Sequence, residues 1–118
     1  TIDTLIQRLT SALGCPGCTI AGDPSQSAGR TGIVCGSGGE SVPLAAAAGC
    51  HTLVTGEIKL HDALEALARN MTVIAVGHHH SERFAMEQMA EKLHIALPDL
   101  HCWASTVEQD PLCWLPNR

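Results

Sequence analysis

A chain of 118 residues with 45% apolar content has room for one compact core, so residues 1–118 are expected to form a single α/β domain. One Phe, two Trp and no Tyr leave that core to Ala, Leu, Ile and Val. A net charge of -5 with seven Lys plus Arg offers no basic stripe for nucleic acid, and no apolar stretch approaches the ~20 residues needed to span a bilayer.

The six cysteines lie mostly in apolar surroundings, and nothing else in the chain looks secreted. They read as reduced core thiols of a cytoplasmic protein. Cys15-Pro-Gly-Cys18 stands apart, since two cysteines two residues apart can pinch zinc or form a redox pair. A plain turn on Pro16-Gly17 explains the same spacing.

In chain order, Ile2, Leu5, Ile6, Leu9 and Leu13 recur at helical spacing, and Gly14 with Pro16 stops that helix. Thr19 to Ala21 reads as a short strand, 22–30 as a polar loop, and Thr31 to Cys35 as a second strand. A glycine-rich run leads into an alanine-rich helix over Ser41 to Ala48, closed by Gly49. His51 to Thr55 is a third strand, and Leu60, Leu64 and Leu67 mark the buried face of a helix ending near Asn70. Thr72 to Val76 is a fourth strand, a helix from about Ser81 to Leu93 buries Met86, Met89, Ala90 and Leu93, and Leu100 to Val107 is a fifth strand. This alternation predicts a three-layer sandwich around a largely parallel sheet of about five strands.

In such sheets ligands bind beyond the carboxyl ends of the strands. Three polar segments arrive there: Cys35 to Gly39, Thr55 to Glu57 with His61 shortly after, and Gly77 to Glu82. In Gly-His-His-His-Ser-Glu (77–82), a turn at Gly77 allows His78 and Glu82 to face one point, and an imidazole with a carboxylate suits Zn, Mn, Fe, Co or Ni. The competing reading is a helix capped by Ser81 whose Glu82 complements the helix dipole. An extended backbone would point His79 and His80 to alternating sides, leaving His79 as a substrate contact.

Glu57 directly follows Gly56, where a carboxylate can act as general base or hold a metal-bound water. His61 is either a substrate contact or part of a wet helix face with Glu65 and Arg69. Ser37, Gly38 and Gly39 precede a helix N-terminus and offer backbone amides to a substrate anion.

The runs 34–39 (VCGSGG), 54–64 (VTGEIKLHDAL), 74–82 (IAVGHHHSE) and Asp110-Pro111 resemble, in order and spacing, the second half of the hexameric dinuclear-metal proteins known as GTP cyclohydrolase 1 type 2 homologues. The resemblance implies that His78 and Glu82 are two ligands of a two-metal centre lined by Glu57 and His61. It implies that a His-His pair and an Asp come from a first half of a longer protein, that the product is a homo-oligomer, and that the reaction opens a purine nucleotide ring hydrolytically. His79 departs from the family, which commonly has an aromatic residue there. Two functions follow: a divalent-metal hydrolase acting on a small, nucleotide-like substrate, or a metal-binding assembly protein whose site is partial or regulatory.

Overall fold

A computed structural model describes residues 1–115. Helix α1 (Ile2–Leu13) begins where the Thr1 hydroxyl accepts from the Thr4 amide and ends at Gly14, whose φ of 64° closes the last turn. Strands β1 (Thr19–Ala21), β2 (Thr31–Ser37), β3 (Thr52–Glu57) and β4 (Thr72–Ala75) form one sheet in the order β1-β4-β3-β2. β2, β3 and β4 run parallel, and β1 adds an antiparallel edge.

Consecutive parallel strands must be joined by crossovers. Helix α2 (Val42–Ala47), entered through a 3-10 turn at Gly39–Ser41, joins β2 to β3, and α3 (Leu60–Ala68) joins β3 to β4. Because both crossovers step along the sheet in one direction, right-handedness puts both helices on the same face. There Val42 and Ala66 pack with Leu53, Met71 and Val73. The opposite face carries Val54, Ile74 and Val76 under Ile2, Leu5, Ile6, Leu9 and Leu13 of α1. Neighbours such as Leu53 and Val54, or Val73 and Ile74, therefore serve opposite cores, as the two-residue repeat of a strand requires. The three-layer, largely parallel architecture expected from sequence is present, with four strands rather than about five.

The expected strand over Leu100 to Val107 is irregular backbone. It lies not on the sheet but against α5 (Phe84–Ala96), flanking a groove of about 430 Å³ shared with Met86, Met89, Ala90 and Leu93. A β-prone run needs a free sheet edge within reach, and α5 carries the chain away from one. The helix expected from about Ser81 is two helices, α4 (His78–Glu82) and α5, meeting at Arg83. Met86, Met89 and Leu93 remain exposed, and no residue of α5 is buried. The radius of gyration is 16.2 Å. A compact chain of this length would have about 13–14 Å, so α5 and the segment after it extend from the body.

Leu60, Leu64 and Leu67 also remain exposed, and Ala66 takes the buried position on α3. A small side chain lets the helix sit close to Leu53 and Val73, which turns the leucine stripe outward.

Fully buried Ile74 and 73%-exposed Ile95 give a direct contrast. Ile74→Ala is expected to lower unfolding free energy by about 2–5 kcal/mol, and Ile95→Ala to change it by no more than about 0.5 kcal/mol, in denaturant titrations.

Candidate functional site: a His-Glu pair at the carboxyl rim of the sheet

The rim is shaped by an irregularity in β2. Val34 lies opposite Thr55, so an unbroken ladder would set Gly36 against Glu57, yet the residue opposite Glu57 is Ser37. One extra residue has entered β2, and Gly36, at φ 67°, takes the left-handed conformation that such a bulge needs. The bulge is held from three sides. The Gly36 amide donates to Ser81 Oγ at 2.9 Å, Thr55 Oγ1 donates to the Gly36 carbonyl at 3.1 Å, and the Gly38 amide donates to Thr55 Oγ1 at 2.9 Å.

On the other side of β3, Gly77 turns the chain after β4, and His78, His79 and His80 enter α4. Helical geometry replaces the extended alternation expected from sequence. Successive histidines rotate by about 100°, and His78 and Glu82, four apart, share one side. Ser81 does not cap the helix: it is buried within α4, where its hydroxyl donates to the His78 carbonyl at 2.8 Å while accepting from Gly36. The reason is that Gly77, not Ser81, precedes the first helical residue.

His78 Nε2 lies 3.4 Å from Glu82 Oε1, and His78 Nδ1 lies 3.1 Å from Glu57 Oε1. The Ser37 hydroxyl donates to the same Glu57 oxygen in a very short contact. Four side chains from β2, β3 and α4 thus form one chain of contacts, Ser37 to Glu57 to His78 to Glu82.

Glycines make room for it. A Cβ on Gly36 would lie 2.6 Å from Glu82 Oε1 and 3.1 Å from His78 Nε2, and one on Gly56 would lie 2.7 Å from the Gly36 carbonyl and 2.9 Å from His78 Cα.

The electrostatics follow the contacts. Glu57's carboxyl is held below its ordinary range, first by the Ser37 hydroxyl and then by the His78 ring. His78 is raised above its ordinary value of 6.5, first by its hydrogen bond to Glu57, with partial desolvation opposing and the Glu82 charge assisting.

Beside this chain of contacts a cleft of about 370 Å³ is lined by Ser37, Gly39, Glu40, Glu57, Ile58, Lys59 and Asp62. The structure brings Ser37, Gly39 and Glu57 to this cleft, and His78 and Glu82 adjoin it through Glu57. His61 is exposed on α3 and is not among the lining side chains, because its neighbour Asp62 is turned inward against Gly39. Gly38 is buried with its amide engaged by Thr55, so the anion cradle expected from the glycine run has lost that donor, and Gly36's as well. The His79 ring stands edge-on to His80, with centroids 5.7 Å apart.

Sequence reasoning missed Asp62 and the roles of Ser81 and Thr55 in holding the bulge. Only the glycines hinted at them, since a glycine within a strand signals close approach by something else. His80 Nδ1 also faces Asp110 Oδ2 at 3.5 Å, and Arg83 donates to the Ser105 carbonyl, which ties the C-terminal segment to α4.

The His78–Glu82 spacing suits one edge of a cation's shell: two donors at about 2.1 Å in tetrahedral arrangement lie about 3.4 Å apart. Among the described residues, no group of three or more His, Cys, Asp or Glu side chains is arranged to hold a metal ion. The pair thus has the spacing of one edge of a coordination shell, and the described residues form no closed site.

Two expectations test this geometry. Gly56→Ala meets backbone and should destabilise by about 3 kcal/mol, whereas Gly36→Ala, strained in φ but displacing mainly the movable end of Glu82, should cost about 1–2 kcal/mol in denaturant unfolding. A raised His78 pKa stabilises most below the unfolded value of 6.5, and the contribution disappears as pH rises through the raised value. Melting temperatures of the wild type should exceed those of Glu57→Gln most below the ordinary histidine value of 6.5, with the gap narrowing as pH rises above it.

The sequence profile of the family described as Duf34/NIF3 (NGG1p interacting factor 3) matches residues 1–111. The chain is 35% identical over 92 residues to "GTP cyclohydrolase 1 type 2" of Helicobacter pylori, covering 78% of this chain and 37% of that protein. It is 34% identical over 91 residues to "GTP cyclohydrolase 1 type 2 homolog" of Deinococcus radiodurans, covering 75% and 32%. The chain spans about a third of the length of these curated relatives. A solved hypothetical protein of Staphylococcus aureus superposes with a TM-score of 0.83 at 26% identity, covering 98% of this chain and 34% of that one. A Bacillus cereus protein related to NIF3 has the same fold, with a TM-score of 0.82 at 20% identity over 98% of this chain and 33% of the other. A fold of this kind carrying a matched profile over nearly its whole length identifies the chain as a member of the Duf34/NIF3 family.

Proposed function

We propose that this chain forms one side of a divalent-metal hydrolase centre acting on a small, nucleotide-like substrate, and that the remaining ligands come from a part of the longer protein outside these residues. The observation that carries the reading is the 3.4 Å apposition of His78 Nε2 and Glu82 Oε1 at the carboxyl rim of the sheet. The names of the relatives support the substrate class, and Gly36, which has no side chain, leaves the space in front of the pair open.

In this reading His78 and Glu82 hold the metal, and Zn, Mn, Fe, Co and Ni all suit that donor pair. A bound divalent ion there supplies Lewis acidity and a lowered pKa for water. The rest is the work of this chain's own side chains. Glu57 and Ser37 form one wall of the substrate cleft, Gly39 lets the chain pass close to Asp62, and among the described residues Lys59 is the one cation lining it. His79 and His61 serve as outer substrate contacts reached only by a ligand extending beyond the cleft.

We also propose that the protein self-associates, since Leu44, Leu60, Leu64 and Leu67 lie exposed on α2 and α3. The six free thiols support a reducing, cytoplasmic location. No helix among the described residues is long and apolar enough to cross a membrane. The same exposed leucines favour the second reading, a metal-binding assembly protein.

Size-exclusion chromatography with in-line elemental analysis of the full-length gene product, paired with a purine-nucleotide hydrolysis assay including GTP, separates the two. For the hydrolase, an oligomer carries divalent metal, and His78→Ala lowers metal content and turnover together, turnover by about 100-fold or more. Metal retained without turnover on any nucleotide selects the assembly protein.

A further inference from the structure

The bulge at Gly36 brings a hydroxyl against Glu57, and Glu57 in turn meets His78 on the nitrogen that faces away from Glu82. An ionised carboxylate only accepts hydrogen bonds, so both neighbours of Glu57 Oε1 must donate to it. Ser37 donates its O–H, and His78 donates from Nδ1. A neutral imidazole carries one proton; with that proton on Nδ1, Nε2 presents a lone pair. Nε2 then lies 3.4 Å from a second acceptor, Glu82 Oε1. Two acceptors that close call for a positive charge between them, a proton on the ring or a cation in front of it.

We infer that Glu57 and Ser37 are positioning residues: they hold His78 as the Nδ1–H tautomer with Nε2 turned toward Glu82. This assignment rests on the metal-edge reading for its purpose but not for its geometry. Both donors occupy Oε1, so the general-base role expected for Glu57 falls to its other oxygen, Oε2. Ser37 acts through Glu57 in the same way: removing its hydroxyl frees that carboxylate to rotate away from the ring. The bulge itself has a role here, since an unbroken β2 would place a glycine opposite Glu57 and leave the carboxylate without its second donor.

The test reads the tautomer directly. In full-length gene product labelled with 15N-histidine, long-range 1H–15N correlation at a pH above the imidazolium range reports which ring nitrogen bears the proton, with His78→Gln assigning the signal. The wild type is expected to show a protonated Nδ1 and a bare Nε2. Glu57→Ala should move the proton to Nε2. Glu57→Gln, whose amide oxygen still accepts from Nδ1, should keep the wild-type pattern and so controls for folding. Ser37→Ala should give a mixture of the two tautomers. Titration with Zn2+ should show affinity reduced about 10–100-fold in Glu57→Ala and less in Glu57→Gln. A wild-type His78 protonated on Nε2, or a tautomer unmoved by Glu57→Ala, overturns the inference. A tautomer that follows Glu57 in a protein that binds no Zn2+ supports the positioning role and overturns the proposed function.

Discussion

Gly36, by adding one residue to β2, changes which side chain meets Glu57, and the whole rim depends on that change. With Ser37 in place of a glycine opposite Glu57, the carboxylate has a donor on the strand side and the His78 ring on the other. The same bulge puts the Gly36 amide under the buried Ser81 hydroxyl and its carbonyl under Thr55. α4 is thereby fastened to β2 across β3, which itself contributes Gly56 so that the backbones can approach. A side chain at either glycine would push into the pair it supports.

The cleft beside this pair has a charge pattern that bears on what it can take. Among the described residues, Glu40, Glu57 and Asp62 line it with Lys59 as the one cation, and two amides of the glycine run are already engaged. A highly charged phosphate chain finds little here to neutralise it unless cations come with it.

Much of the architecture was readable in the chain because apolar spacing and glycine placement report local geometry. α1 is written in Leu5, Leu9 and Leu13 and in Gly14, and each parallel strand appears as a short apolar run bounded by turns. The runs that failed did so for tertiary reasons. Leu60, Leu64 and Leu67 have the spacing of a buried face, but Ala66 and Met71 fill the available space, and periodicity cannot say which of two faces will be covered. The run from Leu100 has the residues of a strand, yet a strand exists only where a neighbour offers a ladder.

For the site, the sequence by itself determined the chemistry available: an imidazole and a carboxylate four residues apart, a second carboxylate after Gly56, and a glycine-rich strand end, all at one edge of an α/β sheet. Side-chain spacing along the chain is a local property, so His78 and Glu82 were legible as a pair. Only the tertiary structure decided that α4 begins at His78, that Ser37 meets Glu57, that Asp62 and not His61 faces the cleft, and that Ser81 is buried beneath the bulge. Those outcomes depend on register and on close backbone approach between segments 20 to 45 residues apart, and residue order carries no direct measure of either.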